Sequence, residues 1–276
     1  GGGIACGSAT ITDCIIENNQ VTGGIWGGGI FAQEGNLTIS NCTIDNNTGG
    51  GIYIQDNQTT ITSCTISNNT NASGVYSQSS TLDMTNSTIS GNTATGNTAG
   101  PDSAYGYGDS GGGFNSDPSS TSTLTNCNIT GNTGKYGGGI LFQSGANSFL
   151  TGCTVTGNTA NVAGGGIYSN AAAGSLTIES TVVCNNTPDQ MAGNNYITNG
   201  ENTVCSENNT SGACCYDGLC FSITEAECTE VGGTFTAEAC SADTACPTPC
   251  SSDVDNDGDI DIQDLLQLLT DWGACP

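Results

Sequence analysis

A seven-residue pattern recurs along the first two hundred residues of this chain. It reads CTIDNNT at 42–48, CTISNNT at 64–70, STISGNT at 87–93, CNITGNT at 127–133, CTVTGNT at 153–159 and TVVCNNT at 181–187, with a looser copy, CIIENNQ, at 14–20. A second signal, GGGI or a variant of it, opens each unit. Its apolar residue falls at positions 4, 30, 52, 75, 114, 140 and 167, which are spaced by 26, 22, 23, 39, 26 and 27 residues. Such a period predicts a solenoid with one supersecondary unit per repeat.

Within each unit apolar and polar residues alternate with the period of a β-strand. Ile30 and Ala32 share one side of GGGIFA, and Leu37 and Ile39 share one side of the next segment. Helices are disfavoured here because Gly, Asn and Thr are poor helix formers. We therefore expect an all-β parallel β-solenoid of about seven coils, each paired with the coils above and below at a spacing of about 4.8 Å.

In-register stacking places equivalent residues in columns. We expect an amide column at one turn, where Asn tolerates a left-handed backbone and its amide bonds the coils above and below: Asn19, Asn47, Asn69, Asn92, Asn132, Asn158 and Asn186. An inner column holds Cys14, Cys42, Cys64, Ser87, Cys127, Cys153 and Thr181. We interpret it as core packing rather than a metal or redox site, since free Cys is often buried. Two apolar columns lie beside it, Leu37/Leu82/Leu176 and Ile44/Ile66/Ile89/Ile129/Val155/Val183, and the glycines of GGG permit positive φ and tight corners.

The GGGI…LTI…T…GNTA units resemble the repeats of right-handed parallel β-helices, especially the polymorphic-outer-membrane-protein type of bacterial surface and secreted proteins. The resemblance covers residues 1–190 and implies a right-handed parallel β-helix. It does not imply an activity, because this scaffold carries adhesins, structural proteins and polysaccharide lyases.

One spacing of 39 residues predicts an excursion from the solenoid near residues 95–110. Loops that project from a rigid scaffold often bind ligands. Tyr105 and Tyr107 are candidates for stacking on a sugar, and Asp102, Asp109 and Asp117 are candidates for holding a cation. A decoration without function is the competing interpretation.

Charge and composition exclude several classes of function. The chain has 26 acidic residues, a single basic one (Lys135) and no His, for a formal charge of −25. Nucleic acid and anionic membrane surfaces are excluded as partners because they need Lys or Arg. Catalysis that depends on His or Arg is impossible, which leaves only a polysaccharide-cleaving enzyme with an all-Asp site as a third-ranked function. We predict no catalytic residues.

Sixteen cysteines indicate an oxidising compartment. Six of them, Cys214, Cys215, Cys220, Cys228, Cys240 and Cys246, fall within a short segment that predicts a disulfide-rich module rather than a zinc site. Fifteen pairings are open. The segment resembles small cysteine-rich repeats found beside solenoids in bacterial exported proteins. Cys184 and Cys205 are candidates for a further link that closes the last coil, and Cys250 and Cys275, which flank the C-terminal motif, are candidates for a pair that staples it.

The stretch DVDNDGDIDIQDLLQLLTDWG at 253–273 matches an EF-hand calcium loop. The predicted Ca²⁺ ligands are Asp253, Asp255, Asp257, Asp259, Asp261 and Asp264, with Gly258 at the sharp turn. Asp rather than Glu at the last ligand position, and the lack of a preceding helix, resemble a dockerin module, although a dockerin has two such loops. A helix is expected from Ile262 to Trp272.

These features predict three domains: a parallel β-helix over 1–211, a cysteine-rich disulfide module over 212–249 and a dockerin-like calcium loop and helix over 250–276. The favoured function is a non-enzymatic extracellular or cell-surface structural protein, a calcium-stabilised subunit of a head-to-tail homopolymer. Its motivation is that residue 1 already lies in a coil and exposes strand edges that recruit other strands. The alternative is an adhesin or polysaccharide-binding β-helix. No membrane insertion is expected because no long apolar run occurs.

Overall fold

A computed structural model describes residues 2–21, 27–94, 111–117, 119–143, 147–170, 176–194, 196–199, 202–205, 212–216, 219–223 and 234–236. The chain divides into two compact units, residues 1–208 and 209–276. All the regular secondary structure in the described residues is β-strand. In this part of the chain, no helix has the length and apolar character needed to span a bilayer.

The first unit is a parallel β-solenoid whose windings present three faces, which we call A, B and C. Strands are numbered in chain order. Face A comprises β1 (Ile4–Cys6), the first part of β4 (Ile30–Ser40), the first part of β6 (Ile52–Thr62), β8 (Val75–Gln78), β11 (Phe114–Ser116), β15 (Ile140–Phe142), β19 (Ile167–Asn170) and β22 (Met191–Asn194). Face B comprises β2 (Ala9–Thr12), the remainder of β4 and β6, β9 (Thr81–Thr85), β12 (Thr121–Thr125), β16 (Asn147–Thr151), β20 (Leu176–Glu179) and β23 (Tyr196–Asn199).

Face C is a separate eight-stranded parallel sheet. It comprises β3 (Ile15–Glu17), β5 (Thr43–Asp45), β7 (Thr65–Ser67), β10 (Thr88–Ser90), β13 (Asn128–Thr130), β17 (Thr154–Thr156), β21 (Val182–Cys184) and β24 (Thr203–Val204). A two-stranded sheet of β14 (Thr133–Tyr136) and β18 (Thr159–Ala163) follows face C in two successive windings. The predicted parallel β-solenoid is confirmed, and a further short winding that begins at Met191 follows the seven predicted from the sequence.

The strands stack in register, so the predicted columns exist. Ile44, Ile66, Ile89, Ile129, Val155 and Val183 pair in succession on face C and are fully buried. The predicted column of Leu37, Leu82 and Leu176 is also present, with Thr59, Ser122 and Ser148 at the intervening levels. Together with the inner residues of faces A and B these columns form one continuous apolar core.

The predicted asparagine column is a continuous hydrogen-bonded ladder, which we call the amide ladder. In each step the backbone N–H and the side-chain Nδ2 of one Asn donate to Oδ1 of the Asn in the next winding. Asn47 donates to Asn69 in this way at 3.0 Å for both bonds. The second Nδ2 hydrogen goes to a backbone carbonyl of the preceding winding, as from Asn69 to Ile44 O at 3.0 Å. Because the buried amide bonds both neighbours, it satisfies nearly all of its hydrogen-bonding capacity.

The left-handed residue at this corner is not the ladder Asn, as the sequence suggested, but the residue before it. Positive φ values between 52° and 65° occur at Asn18, Asn46, Asn68, Gly91, Gly131, Gly157 and Asn185. The turn needs one residue in the left-handed region, and the next residue must then direct its side chain into the core. This division of roles explains why the repeat reads either NN or GN, since Gly and Asn tolerate positive φ best.

The glycine triplets serve two purposes, of which the sequence indicated one. The first glycine has positive φ in four triplets, at Gly27, Gly49, Gly137 and Gly164, but not at Gly111. The third glycine does not have positive φ. It is required because the backbone of the next winding approaches closely: a Cβ on Gly139 would lie 2.7 Å from Gly166 O and 2.9 Å from Nδ2 of Asn158. The amide ladder therefore runs against a row of glycines.

The predicted cysteine column lies in the core as packing. Cys42, Cys64, Cys127 and Cys153 are buried free thiols, whereas Cys14 in the first winding is exposed. Backbone N–H groups donate along the column, from Cys42 to Cys64 Sγ at 3.5 Å and from Cys64 to Ser87 Oγ at 3.0 Å. Burial raises the pKa of the Cys64 thiol, and the hydrogen-bonded Cys153 thiol together with burial raises the pKa of Cys127.

These thiols predict a loss of stability at alkaline pH. In the unfolded chain Cys64 ionises near its ordinary pKa of 9.0, while the buried thiol stays protonated to higher pH. Above the ordinary pKa of 9.0 the unfolded chain loses the thiol proton while the folded chain keeps it. The free energy of unfolding should therefore fall by up to about 1.4 kcal/mol per pH unit for each such thiol. Urea unfolding at pH 7 to 10.5 measures this. Cys64→Ser, which copies Ser87, should flatten the decline, and an unchanged pH profile would contradict the prediction.

The predicted pairing of Cys184 with Cys205 is confirmed. The disulfide joins the end of β21 to the residue after β24, with a Cα–Cα distance of 5.0 Å and a sequence separation of 21. It therefore ties the last two windings together on face C. A crosslink of this loop length stabilises a fold by roughly 3 kcal/mol.

The second unit contains a small antiparallel sheet. Its strands are β25 (Gly212–Tyr216), β26 (Leu219–Ile223) and β27 (Thr234–Thr236), in the order β26-β25-β27. The pairing of the six cysteines predicted for this region lies outside the described part of the chain, as does everything from residue 237 onward. The division into a cysteine-rich module and a calcium module therefore stays a prediction.

Candidate functional site

The residues predicted to bind ligands fall outside the described residues. These are Tyr105, Tyr107, Asp102 and Asp109 in the excursion, and Asp253, Asp255, Asp257, Asp259, Asp261 and Asp264 in the calcium loop. Asp117 is described: it is largely buried, and its Oδ1 accepts a hydrogen bond from Ser119 N at 3.1 Å. Its carboxylate thus orders the turn that leads into β12. Among the described residues, no three His, Cys, Asp or Glu side chains cluster as metal ligands would.

The outward positions of face A carry an aromatic stack that sequence reasoning missed. Phe31, Tyr53 and Tyr76 occupy one row of three adjacent strands. The rings of Phe31 and Tyr53 lie 5.5 Å apart, and those of Tyr53 and Tyr76 lie 5.0 Å apart and nearly parallel. Tyr53 and Tyr76 are buried, although they point away from the core. The stack therefore contributes to packing and offers no open aromatic platform for a sugar.

The outward positions of face B form an open surface rich in hydroxyl groups. One row is unbroken over six windings, and we call it the hydroxyl column: Thr12, Ser40, Thr62, Thr85, Thr125 and Thr151. Hydroxyls bond one another at two steps of the column, Ser40 Oγ to Thr12 Oγ1 at 3.3 Å and Thr62 Oγ1 with Thr85 Oγ1 at 3.3 Å. A second row two residues away carries Thr10, Thr38, Thr60, Asp83, Thr123, Phe149 and Thr177, several of them exposed.

Face C repeats the pattern on the neighbouring side of the solenoid. Its outward row of Thr43, Thr65, Thr88, Asn128 and Thr154 lies beside a row of Asp45, Ser67, Ser90, Thr130 and Thr156. Hydroxyl groups donate and accept hydrogen bonds and carry no charge. Faces B and C therefore present a periodic, largely neutral surface on a chain whose net charge is −25. The TxT and TxS triplets in the repeat are the sequence signal that would have revealed them.

Comparison with known proteins supports the fold and does not extend to function. A family model described as a right handed beta helix region matches residues 1–110. No curated protein gives a significant match. Two solved structures of QnrB1, a plasmid-mediated fluoroquinolone resistance protein, are among the structural matches. The trypsin-treated form is 10% identical, covers 69% of this chain and 80% of its own, and has a TM-score of 0.17. The full-length form is 11% identical, covers 70% and 94%, and has the same TM-score of 0.17. At these values the likeness to QnrB1 carries no argument.

Proposed function

We propose that this chain is a non-enzymatic structural protein of an extracellular or cell-surface assembly, stabilised by calcium at its C-terminal loop. The observation that carries the proposal is the amide ladder, which continues without a break from Asn19 to Asn186. Side chains that bond each winding to the next make a stiff element, and stiffness is what a structural subunit contributes.

The chemistry of the chain supports the same conclusion. Without His or Arg, and with one Lys, the chain lacks the groups that most enzymes use near neutral pH. The faces that remain open carry hydroxyl groups, which resist ionisation and suit a passive surface. The many cysteines fit an exported protein. Calcium at Asp253–Asp264 would order the C-terminal segment, and self-association into a head-to-tail polymer would complete the structural role.

Self-association of the full chain with and without calcium tests this proposal. We expect assemblies in millimolar calcium by light scattering and electron microscopy, and smaller species after chelation. Asp253→Asn combined with Asp255→Asn should abolish the response because it removes two carboxylate ligands. Asp83→Asn is the matched control, since it neutralises an exposed carboxylate on face B. Monomers in calcium, or cleavage of a polysaccharide by the chain, would refute the proposal.

A polysaccharide-binding adhesin is the second candidate, and the hydroxyl column favours it. A periodic row of hydroxyls on an open face can hydrogen-bond an extended glycan at many points. Thr62→Val together with Thr85→Val removes two adjacent hydroxyls and keeps the side-chain shape. Sedimentation with insoluble polysaccharides that is lost in this variant, while calcium-dependent assembly persists, would favour the adhesin over the structural role.

A further inference from the structure

The amide ladder ends on a side chain of a different kind. At every earlier step the acceptor for an Asn is Oδ1 of the Asn in the next winding. At Asn186 the acceptor is Oε1 of Gln190, only four residues ahead, which receives the backbone N–H and the side-chain Nδ2 at 3.0 Å each. Gln190 Nε2 also donates to Asn186 O at 3.4 Å, and the side chain is buried. Gln190 therefore supplies the two bonds that another winding would supply.

The register explains why a glutamine fits here. Met191 pairs with Ile167, so Gln190 occupies the position of Gly166, the third glycine of the preceding triplet. At Gly166 a Cβ would lie 2.7 Å from Nδ2 of Asn186, the ladder residue that closes the same winding. The position needs glycine only where a ladder Asn closes the winding. In the last described winding the side chain of Gln190 occupies the place that the next ladder Asn would take. The replacement of glycine by glutamine therefore marks the end of the ladder.

Two further side chains complete the same end. Asp189 Oδ1 accepts hydrogen bonds from Gly164 N at 2.6 Å and Gly165 N at 3.0 Å. In the previous winding the equivalent N–H of Gly138 donates to a backbone carbonyl of the next winding, Gly164 O, at 3.0 Å. At the cysteine column, Asn202 Oδ1 accepts from Thr181 N at 3.0 Å and its Nδ2 donates to Ile178 O at 2.9 Å. Asp189 thus takes over, beside the glycine triplet, bonds that backbone carbonyls make in other windings, whereas Asn202 continues the column in the ordinary way, as Thr181 Oγ1 does when it accepts from Cys153 N at 3.2 Å.

The surface at this end is also unsuited to stacking. A cavity of about 430 Å³ lies among Met191, Tyr196, Asn202 and Val204. Tyr196 stands 43% exposed beside it. At the amide ladder a further winding would bring an acceptor and would need free donors on Asn186, and Gln190 already accepts from both the backbone N–H and Nδ2 of that residue.

We propose that residues 188–194, together with 196–199 and 202–205, are a built-in C-terminal cap that stops a second copy of this chain from adding a winding onto this end of the solenoid. The inference deepens the proposed structural function and rests on it for its consequence: the head-to-tail contact must be made by the C-terminal segment that calcium would order, and not by stacking on the last winding of the solenoid. Solenoids generally need such caps to remain soluble. Asp189 and Gln190 are the positioning residues of this cap, and the Cys184–Cys205 disulfide fastens it to the winding below.

Hydrogen exchange of the full chain tests the cap. Gln190→Met keeps the length of the side chain and removes its acceptor, so the Asn186 amide should exchange about tenfold faster or more. Gln190→Glu keeps the acceptor oxygen but replaces the Nε2 donor with an oxygen that faces Asn186 O in a buried site, so its Asn186 amide should exchange at a rate between those of the wild type and Gln190→Met. The Asn47 amide, in the ladder but far from the cap, is the internal reference. An Asn186 amide that exchanges equally in the wild type and in Gln190→Met would overturn the proposal.

Light scattering tests the consequence for assembly. Gln190→Gly restores the glycine of the other windings and removes the glutamine that fills the ladder position, so this variant should associate at a concentration several-fold lower than the wild type. Association at the same concentration would overturn the claim that the cap controls this end. A wild type that stays monomeric in calcium would refute the proposed function, while the exchange of the Asn186 amide would still decide whether the cap exists.

Discussion

Replacing Asn132 with leucine is expected to lower the free energy of unfolding by about 4 kcal/mol, because it leaves several buried polar groups without partners. Asn132 Oδ1 accepts from both the backbone N–H and Nδ2 of Asn92 at 3.0 Å, and its own Nδ2 donates to Ile89 O at 2.9 Å and to Asn158 Oδ1 at 3.0 Å. Leucine fills the space but restores none of these bonds. Each orphaned group costs about 1–3 kcal/mol in the core.

Asn128→Leu is the matched control, since it makes the same change four residues earlier. Asn128 is exposed on face C, and its backbone N–H still donates to Ser87 O at 2.9 Å. We expect its free energy of unfolding to change by less than about 0.5 kcal/mol. Urea unfolding followed by circular dichroism measures both variants. Equal effects of the two substitutions would show that the amide ladder contributes nothing beyond the shape of its side chains.

The columns of the solenoid were predictable from the sequence because in-register stacking converts sequence period directly into spatial proximity. Once CTISNNT and its copies are aligned, Asn69 must lie over Asn47 and under Asn92, and the same reasoning places Cys42 beside Cys64. The structure confirms these neighbours. The disulfide between Cys184 and Cys205 was predictable for the same reason, since both cysteines follow the last apolar residues of equivalent strands.

Features that depend on three-dimensional detail within a winding were not predictable. The left-handed residue was assigned to Asn47 rather than Asn46, because both are asparagine and only the direction of the side chain separates their roles. The third glycine needs its place because it approaches the amide ladder, a contact between the start and the end of one winding. Gln190 follows the last copy of the repeat, so alignment of the copies does not identify it as the final acceptor of the ladder.

The repeat constrains the fold closely but says little about the candidate binding residues. Tyr105, Tyr107 and the calcium-loop aspartates belong to segments that do not repeat, so no neighbouring copy constrains their positions, and they stay predictions. The hydroxyl column, by contrast, lies in the repeat and follows from the alternation of inward and outward side chains. The columns predicted from the sequence contain inward residues only, so they include neither the hydroxyl column nor the stack of Tyr53 and Tyr76.

The row of glycines that faces the amide ladder provides the second large effect. A glycine can be needed because a side chain would not fit, or because the backbone has positive φ. Gly139→Ala should lower the free energy of unfolding by about 3 kcal/mol, because overpacking a core forces neighbours to move. The new Cβ would lie 2.7 Å from Gly166 O, 2.9 Å from Asn158 Nδ2 and 3.0 Å from Val155 Cγ1. The backbone oxygen and the hydrogen-bonded amide cannot retreat without breaking the ladder.

Gly157→Asn tests the second reason, because Gly157 has positive φ at a site where a side chain has room. Gly157 has φ of 64°, and a Cβ there would meet no atom closer than 3.8 Å. Asn already takes the equivalent place at Asn46 and Asn68 with φ of 53° and 52°, so this change should alter the free energy of unfolding by less than about 0.5 kcal/mol. Thermal and urea unfolding of the two variants side by side measure the difference. If Gly139→Ala is as well tolerated as Gly157→Asn, the windings are not packed against the amide ladder as closely as the structure requires.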